Sequence, residues 1–442
     1  MNDQNNIKVL ASKIANSITF KIITMTILVL LLLLPAVMIR SLIREREDRK
    51  KEVTEEIGAK WGGEQILTGP VISIPYKAYY KDKDGQTGFS IEYAHFLPDS
   101  LDITGKLFPE KRYRGIYETI LYNARVDLAG SFSAPLIEQL GVRPEDVIWP
   151  GALITVGISD MRGIKDELRA TFAGDSLTMN PGLKSDDVFP SGVSAGISWP
   201  KKSDIYSFKF SLNLNGSQQI SFLPLGKITK VEAASDWPDP SFTGAYLPYE
   251  RNIDKNGFSA RWNILDLNRN YPQSWKTNKY SIIDSAFGIT LFTPVDIYQK
   301  SMRTAKYAIM FIVFTFIAFF FSEIMNRVRV HPIQYLLIGL AIMIFYSLLI
   351  AISEHTNFNF AYIVSSISVI GLITGYAKAI LKKTKMSIMV GGILAILYGY
   401  LFIILQLEDY ALLMGSVGLF VVLSLVMYFT RKIDWYDVKF EK

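Results

Sequence analysis

Two hydrophobic patterns divide this chain. Six stretches stay apolar for about the length of a membrane-crossing helix, namely 22–39, 307–322, 333–353, 356–377, 386–407 and 410–430. A hydrocarbon core about 30 Å thick takes around 20 apolar residues in helical form, and the second stretch gains length if Lys306 snorkels. The chain therefore reads as an integral membrane protein. Lys8, Lys13 and Lys21 precede the first stretch, as they would in a secretory signal. That stretch is longer than a signal's apolar core, and it runs into Met38, Ile39 and Arg40 with no small-x-small cleavage site, so it reads as a retained anchor.

The block between the first two stretches follows a different period. Residues 40–60 are charge-rich and lack proline, with Ile43, Val53 and Ile57 among their few apolar positions. They predict a helical stalk of about 30 Å continuing the anchor, stopped at Gly62-Gly63. Beyond Trp61, Tyr206, Phe208, Phe210, Leu212 and Leu214 alternate with polar residues, and Tyr122, Ala124, Val126 and Leu128 do the same. A period of two marks strands with one buried face. Asn215-Gly216 then predicts a tight hairpin turn. Val71-Ile-Ser-Ile74, Ala152-Leu-Ile-Thr-Val156 and Phe287-Gly-Ile-Thr-Leu-Phe292 read as deeper strands. The expected architecture is a mixed membrane protein: a cytoplasmic N-terminus (1–21), an anchor helix (22–39), a stalk (40–60), a β-rich, sandwich-like extracytoplasmic domain (61–305), a bundle of five transmembrane helices (306–430) and a tail (431–442).

Composition narrows the chemistry. Of 442 residues, 50% are hydrophobic and 20% charged, which excludes a disordered chain. The absence of cysteine removes disulfides, thiol nucleophiles and cysteine-ligated metals, and the histidines are His95, His331 and His355 alone. The net charge of +6 does not point to nucleic acid, because Lys and Arg gather beside apolar segments and form no basic-aromatic stripe. Arg327 and Arg329, then Lys378, Lys382, Lys383 and Lys385, then Arg431, Lys432, Lys439 and Lys442 flank alternate ends of the spans. The intervening loops carry only Glu354 and His355, and Glu408 and Asp409. The positive-inside rule then makes both termini cytoplasmic and places the β-rich block outside. The basic run from Arg40 to Lys51 opposes this, but long loops translocate largely regardless of charge.

No phosphate-binding loop, His-Glu-x-x-His motif or Gly-x-Ser-x-Gly elbow is present. His95, within Tyr93-Ala-His-Phe96, reads as a strand residue rather than a base. Glu354, His355, Glu408 and Asp409 share one membrane face, where carboxylates beside an imidazole bind a cation or relay protons; equally, they are what short interfacial loops contain. Glu323 finds an ordinary partner in Arg327. Trp237, heading Trp237-Pro-Asp-Pro-Ser-Phe-Thr-Gly-Ala-Tyr-Leu-Pro248, and the segment Arg269-Asn-Tyr-Pro-Gln-Ser-Trp275 suit either partner binding or rigid sheet connections. No span carries a charge near its centre, which counts against an ion-coupled transporter. These residues call for no catalytic group, cofactor or metal.

Longer motifs bring a family resemblance. Thr68-Gly-Pro-Val-Ile-Ser-Ile-Pro-Tyr76, Phe96-Leu-Pro98, Arg114-Gly-Ile-Tyr117, the Trp237 loop, His331-Pro-Ile-Gln-Tyr-Leu-Leu337, Ser353-Glu-His355, Gln406-Leu-Glu-Asp-Tyr-Ala-Leu-Leu413 and Thr430-Arg-Lys-Ile-Asp-Trp-Tyr436 resemble the CreD family of bacterial inner-membrane, cell envelope integrity proteins. The resemblance implies an N-terminal anchor, a large periplasmic domain and a C-terminal bundle. It also implies a role in envelope maintenance and in a stress response linked to β-lactam and colicin tolerance, and it carries over no catalytic residue. The expectation is a non-enzymatic inner-membrane protein, partnered by the lipid bilayer, whose periplasmic domain binds an envelope protein or wall component. A transporter or channel using Glu354, His355, Glu408 and Asp409 is the alternative, and a membrane-embedded enzyme acting on lipid or wall precursors is a weaker third.

Overall fold

A computed structural model describes residues 18–84, 86–198, 204–291, 297–326, 328–407 and 410–431. Two compact units emerge: Lys50–Pro294, which is β-rich, and Met1–Arg49 together with Val295–Lys442, which is helical. The first helix, α1 (Ile18–Trp61), is continuous for 44 residues, so apolar span and charged stalk form one element. It stops where Gly62 takes a φ of 133° and returns its N–H to the Gly58 carbonyl at 2.8 Å.

The β-rich unit holds two sheets. The 9-stranded sheet comprises β1 (Gln65–Lys81), β2 (Thr87–Phe96), β5 (Leu153–Ile158), β8 (Asn180–Pro181), β9 (Gly192–Gly196), β11 (Gln219–Phe222), β13 (Pro240–Gly244), β16 (Ser274–Lys276) and β17 (Phe287–Leu291). The 8-stranded sheet comprises β3 (Ser100–Arg114), β4 (Tyr117–Ser133), β6 (Arg169–Phe172), β7 (Asp175–Thr178), β10 (Ile205–Ser217), β12 (Ile228–Ser235), β14 (Glu250–Asp254) and β15 (Gly257–Leu265). Both contribute to one hydrophobic core, to which β4 offers Tyr122, Ala124, Val126 and Leu128 and β10 offers Tyr206 through Leu214 at alternate positions. The sheets meet through aromatic rings: Trp262 of β15 lies 5.7 Å from Phe287 of β17, and Phe258 of β15 lies 6.0 Å from Phe242 of β13. The core-facing alternation is the one the sequence predicts.

The hairpin expected at Asn215-Gly216 does not form. β10 runs straight through that pair, with Gly216 opposite Tyr122 of β4. The glycine serves close approach instead, since a Cβ there would lie 2.3 Å from the Tyr122 ring. The turn comes later, at Gln218, whose φ of 59° carries the chain from one sheet into β11 of the other. The Tyr122 hydroxyl donates to the Gln219 carbonyl at 2.7 Å and secures that step.

In the helical unit, α2 (Ile297–Lys306) and α3 (Ala308–Asn326) are followed by α4 (Pro332–Ser353), α5 (Phe358–Leu381), α6 (Thr384–Gln406) and α7 (Ala411–Thr430). The sequence predicts six spans. Among the described residues, 4 helices are long and apolar enough to cross a membrane: α1, α4, α5 and α6. The α2–α3 pair, bent by 44°, makes a fifth, and α7 contributes a shorter apolar run, Leu413–Tyr428. Leu32, Ala36, Ile39 and Ile43 of α1 are buried, and Leu32 packs so tightly on Gly339 of α4 that a Cβ would lie 2.1 Å from its methyl. The first span is thus packed into the bundle.

Candidate functional site

A half-open cleft lies in the β-rich unit. It encloses about 540 Å³ between the start of β1, the segment from Asp186 to Ser191 and the segment from Asn278 to Ile283. Ile66, Phe189, Leu223 and Ile282 make its walls apolar, while Asp186 and Asp187 bring negative charge. A hydrogen-bonded chain runs behind Asp187. β1 and β2 pair with Ser73 opposite His95; the Ser73 Oγ lies 3.0 Å from His95 Nδ1, and His95 Nε2 lies 3.2 Å from Asp187 Oδ2. A carboxylate only accepts, so Nε2 carries the proton and Ser73 donates to Nδ1. Trp275 packs its ring 5.9 Å from the imidazole. Burial holds the His95 pKa below its ordinary value despite the neighbouring carboxylate, so the ring is neutral at pH 7.

The residue types are those of a hydrolytic triad, but the placement is not. His95 is 1% exposed and Ser73 6%, and the serine hydroxyl is turned inward onto the imidazole. The hydrogen-bonded chain places Asp187 at the cleft, with the Ser73 hydroxyl buried behind it. Of its members, sequence reasoning singled out only His95, as a strand residue, and that is where the structure puts it. Ser73 becomes a candidate only once the β1–β2 register is known, and Asp187 arrives from a loop 92 positions away.

The other predicted positions have individual settings. Glu354 caps the end of α4 with its side chain 9% exposed, accepting from the Tyr298 hydroxyl of α2 at 3.1 Å and facing Arg46 of α1 at 3.9 Å. His355 is exposed, so the two neighbours face different environments. Glu408 and Asp409 lie outside the described residues, as does Arg327. Trp237 is half-buried, packs against the core and carries Lys111 over its ring at 5.8 Å. Part of its loop is the strand β13. Arg269 is largely enclosed: its guanidinium donates to the Tyr271 carbonyl at 2.7 Å, the Leu225 carbonyl at 3.2 Å and the Gln273 side chain. Both proline- and aromatic-rich segments are thereby built into the sheet connections.

Glu323 has partners that the sequence does not indicate, and the expected one, Arg327, lies outside the described residues. It is fully buried in the helical unit and accepts from the Lys21 ammonium of α1, from the Tyr335 hydroxyl of α4 at 3.1 Å and from the Val330 amide at 3.0 Å. Lys21 lies 302 positions away, so no local signal identified it as the partner.

With two sheets bracketed by apolar helices established, similarity along the whole chain decides the family. A family model described as "Inner membrane protein CreD" matches residues 17–436. The chain belongs to the CreD family. It is 34% identical over 424 residues to the inner membrane protein CreD of Escherichia coli (strain K12), covering 94% of this chain and 93% of that one. A crystal structure of a candidate nutrient binding protein from Legionella pneumophila aligns over 48% of this chain and 82% of its own, at 6% identity and a TM-score of 0.23, too low to carry an argument. Family and helices together make this CreD relative a multi-pass inner-membrane protein.

Proposed function

We propose that this protein supports cell envelope integrity and tolerance of envelope stress without catalysing a reaction. Its β-rich unit stands in the periplasm and binds another envelope protein or wall component, and the helical unit anchors it with both termini in the cytoplasm. The observation that carries this reading is the cleft of about 540 Å³ with apolar walls and the oriented Asp187 at its edge. A concave, largely apolar site with a few placed polar groups is the usual form of a binding pocket. Supporting the orientation, the link between α5 and α6 is Lys382-Lys383, whereas α4 ends on Glu354.

The test is complementation of a strain lacking the protein, scored by detergent and β-lactam sensitivity. Ser281→Trp and Ile283→Glu obstruct the cleft. The expected result is lost rescue at unchanged protein level, with a photocrosslinker at position 283 capturing an envelope component from the wild-type chain. Full rescue by both variants, with no crosslinked species under envelope stress, overturns the reading. A chain stopped after Met302 separates the two units' roles: rescue by it assigns the activity to the β-rich unit alone.

A further inference from the structure

The bundle buries a group of hydroxyls that the fold does not pair. Tyr346 of α4, Ser365 of α5 and Tyr398 of α6 are 1%, 0% and 2% exposed. None of their hydroxyls has a hydrogen-bond partner among the described residues. They share a level. Tyr346 and Tyr398 stand eight positions before Glu354 and Gln406, and Ser365 stands seven after Phe358, so all lie about 10–12 Å below the helix ends on the Glu354 side. Phe345 ties that level together, its ring 5.0 Å from Tyr346, 5.4 Å from Tyr362 and 4.8 Å from Tyr398. The Tyr362 hydroxyl already reaches across to the Tyr398 carbonyl at 2.7 Å.

An unpaired helical serine has a ready alternative, because its hydroxyl can bond the carbonyl one turn back. Thr315, Ser322 and Ser368 do so here, at 2.7, 2.8 and 2.8 Å. Ser365 forgoes that bond. Left dry, each such hydroxyl would carry its desolvation cost uncompensated, and lipid supplies no donor or acceptor to offset it. A metal or ammonium cation does not fit, because 333–353, 358–377 and 386–406 contain no carboxylate to balance its desolvation. The occupant that matches neutral hydroxyls beside aromatic walls is itself neutral, small and able both to donate and to accept.

We propose that this level of the bundle is a hydrated site, in which Tyr346, Ser365 and Tyr398 bind ordered water or a neutral hydrogen-bonding molecule of that size. The site is enclosed by helices and sits below Glu354 and Tyr298, within the membrane-spanning part of the chain.

X-ray hydroxyl-radical footprinting of the full chain in detergent tests this without any variant, since radicals formed from bound water label side chains that bulk solvent does not reach. The expected result is labelling of Phe345 and Tyr398 several-fold faster than of Phe316 and Phe319, which are equally buried elsewhere in the bundle. Equal, slow labelling of all four overturns the proposal. Thermal unfolding of Tyr346→Phe and Tyr398→Phe supplies an independent sign. A hydrated hydroxyl is satisfied, so its removal lowers Tm; a dry, unpaired one is a liability, so a rise in Tm in both variants also overturns the proposal. Ser365→Ala is expected to reduce the fast labelling while the chain stays folded.

Discussion

His95 and Ser73 stand behind Asp187 at the cleft, and that arrangement has a pH signature. Folding lowers the His95 pKa, so as pH falls below the ordinary value of 6.5 the unfolded chain takes up the proton first. Acidification through that range therefore destabilises the folded β-rich unit. His95→Gln is expected to lower stability at pH 7.5 by about 1–3 kcal/mol through lost hydrogen bonds, and to flatten the dependence below pH 6.5. Denaturant titrations followed by tryptophan fluorescence at several pH values check both; an unchanged slope removes His95 from the account. Asp160 works in the opposite sense. Its carboxylate accepts from the Arg162 side chain at 2.7 and 2.9 Å, from the Arg162 amide at 3.0 Å and from the Gly63 amide at 2.9 Å, just past the end of α1. Chiefly through Arg162, these hold its pKa down to about 2. The stabilisation is complete above the ordinary value of 3.8 and is lost as pH falls toward 2. Asp160→Asn is thus expected to cost about 1–3 kcal/mol at neutral pH, with the gap from wild type closing in acid. Apart from Asp160 and Arg162, two positions apart, these partnerships were not legible in the sequence: Gly63 lies 97 positions from Asp160 and Ser73 lies 22 from His95, and only the folded chain brings them together.

At the scale of elements, periodicity was a good guide and turn chemistry was not. The alternation in β4 and β10 survives because one face of each strand is buried in the common core. Asn215-Gly216 misled because glycine also serves where a side chain must lie across the backbone, and here Tyr122 does. Gly216→Ala is expected to destabilise by about 1–3 kcal/mol through overpacking, and to cost less in a Tyr122→Ala background, where the ring it meets is gone. A glycine needed only for a turn shows no such coupling, so additive effects in a double-mutant cycle would sink the assignment. In the helical unit, Glu323 joins α1, α3 and α4 through Lys21 and Tyr335. Removing one partner of a buried ion pair is costly, about 3–5 kcal/mol, whereas replacing both by apolar side chains is often neutral. Glu323→Ala is therefore expected to lower Tm sharply in detergent, and Lys21→Met with Glu323→Met to restore much of it. Equal destabilisation by the single and double changes would refute the pairing.

At the scale of the whole molecule, the two units carry separate interiors. The β-rich unit, Lys50–Pro294, closes its own core between two sheets without a disulfide. A fragment of those residues is expected to be soluble, β-rich by circular dichroism and cooperative in unfolding; a fragment that only aggregates would show that its stability depends on the helical unit. The sequence by itself determined the membrane class, the placing of the apolar helices, the continuous stalk with its glycine stop and the β-rich nature of the middle block. These are local properties, since each follows from how one face of a helix or strand meets water or lipid over a few residues. Only the tertiary structure decided that the first span packs into the bundle, that Glu354 meets Tyr298 and Arg46 while His355 stays exposed, and that Ser73, His95 and Asp187 form one chain behind a cleft. Each of those depends on register and on contacts between residues tens to hundreds of positions apart. Such contacts are set by packing the whole chain, and a sequence pattern of short period carries no record of them.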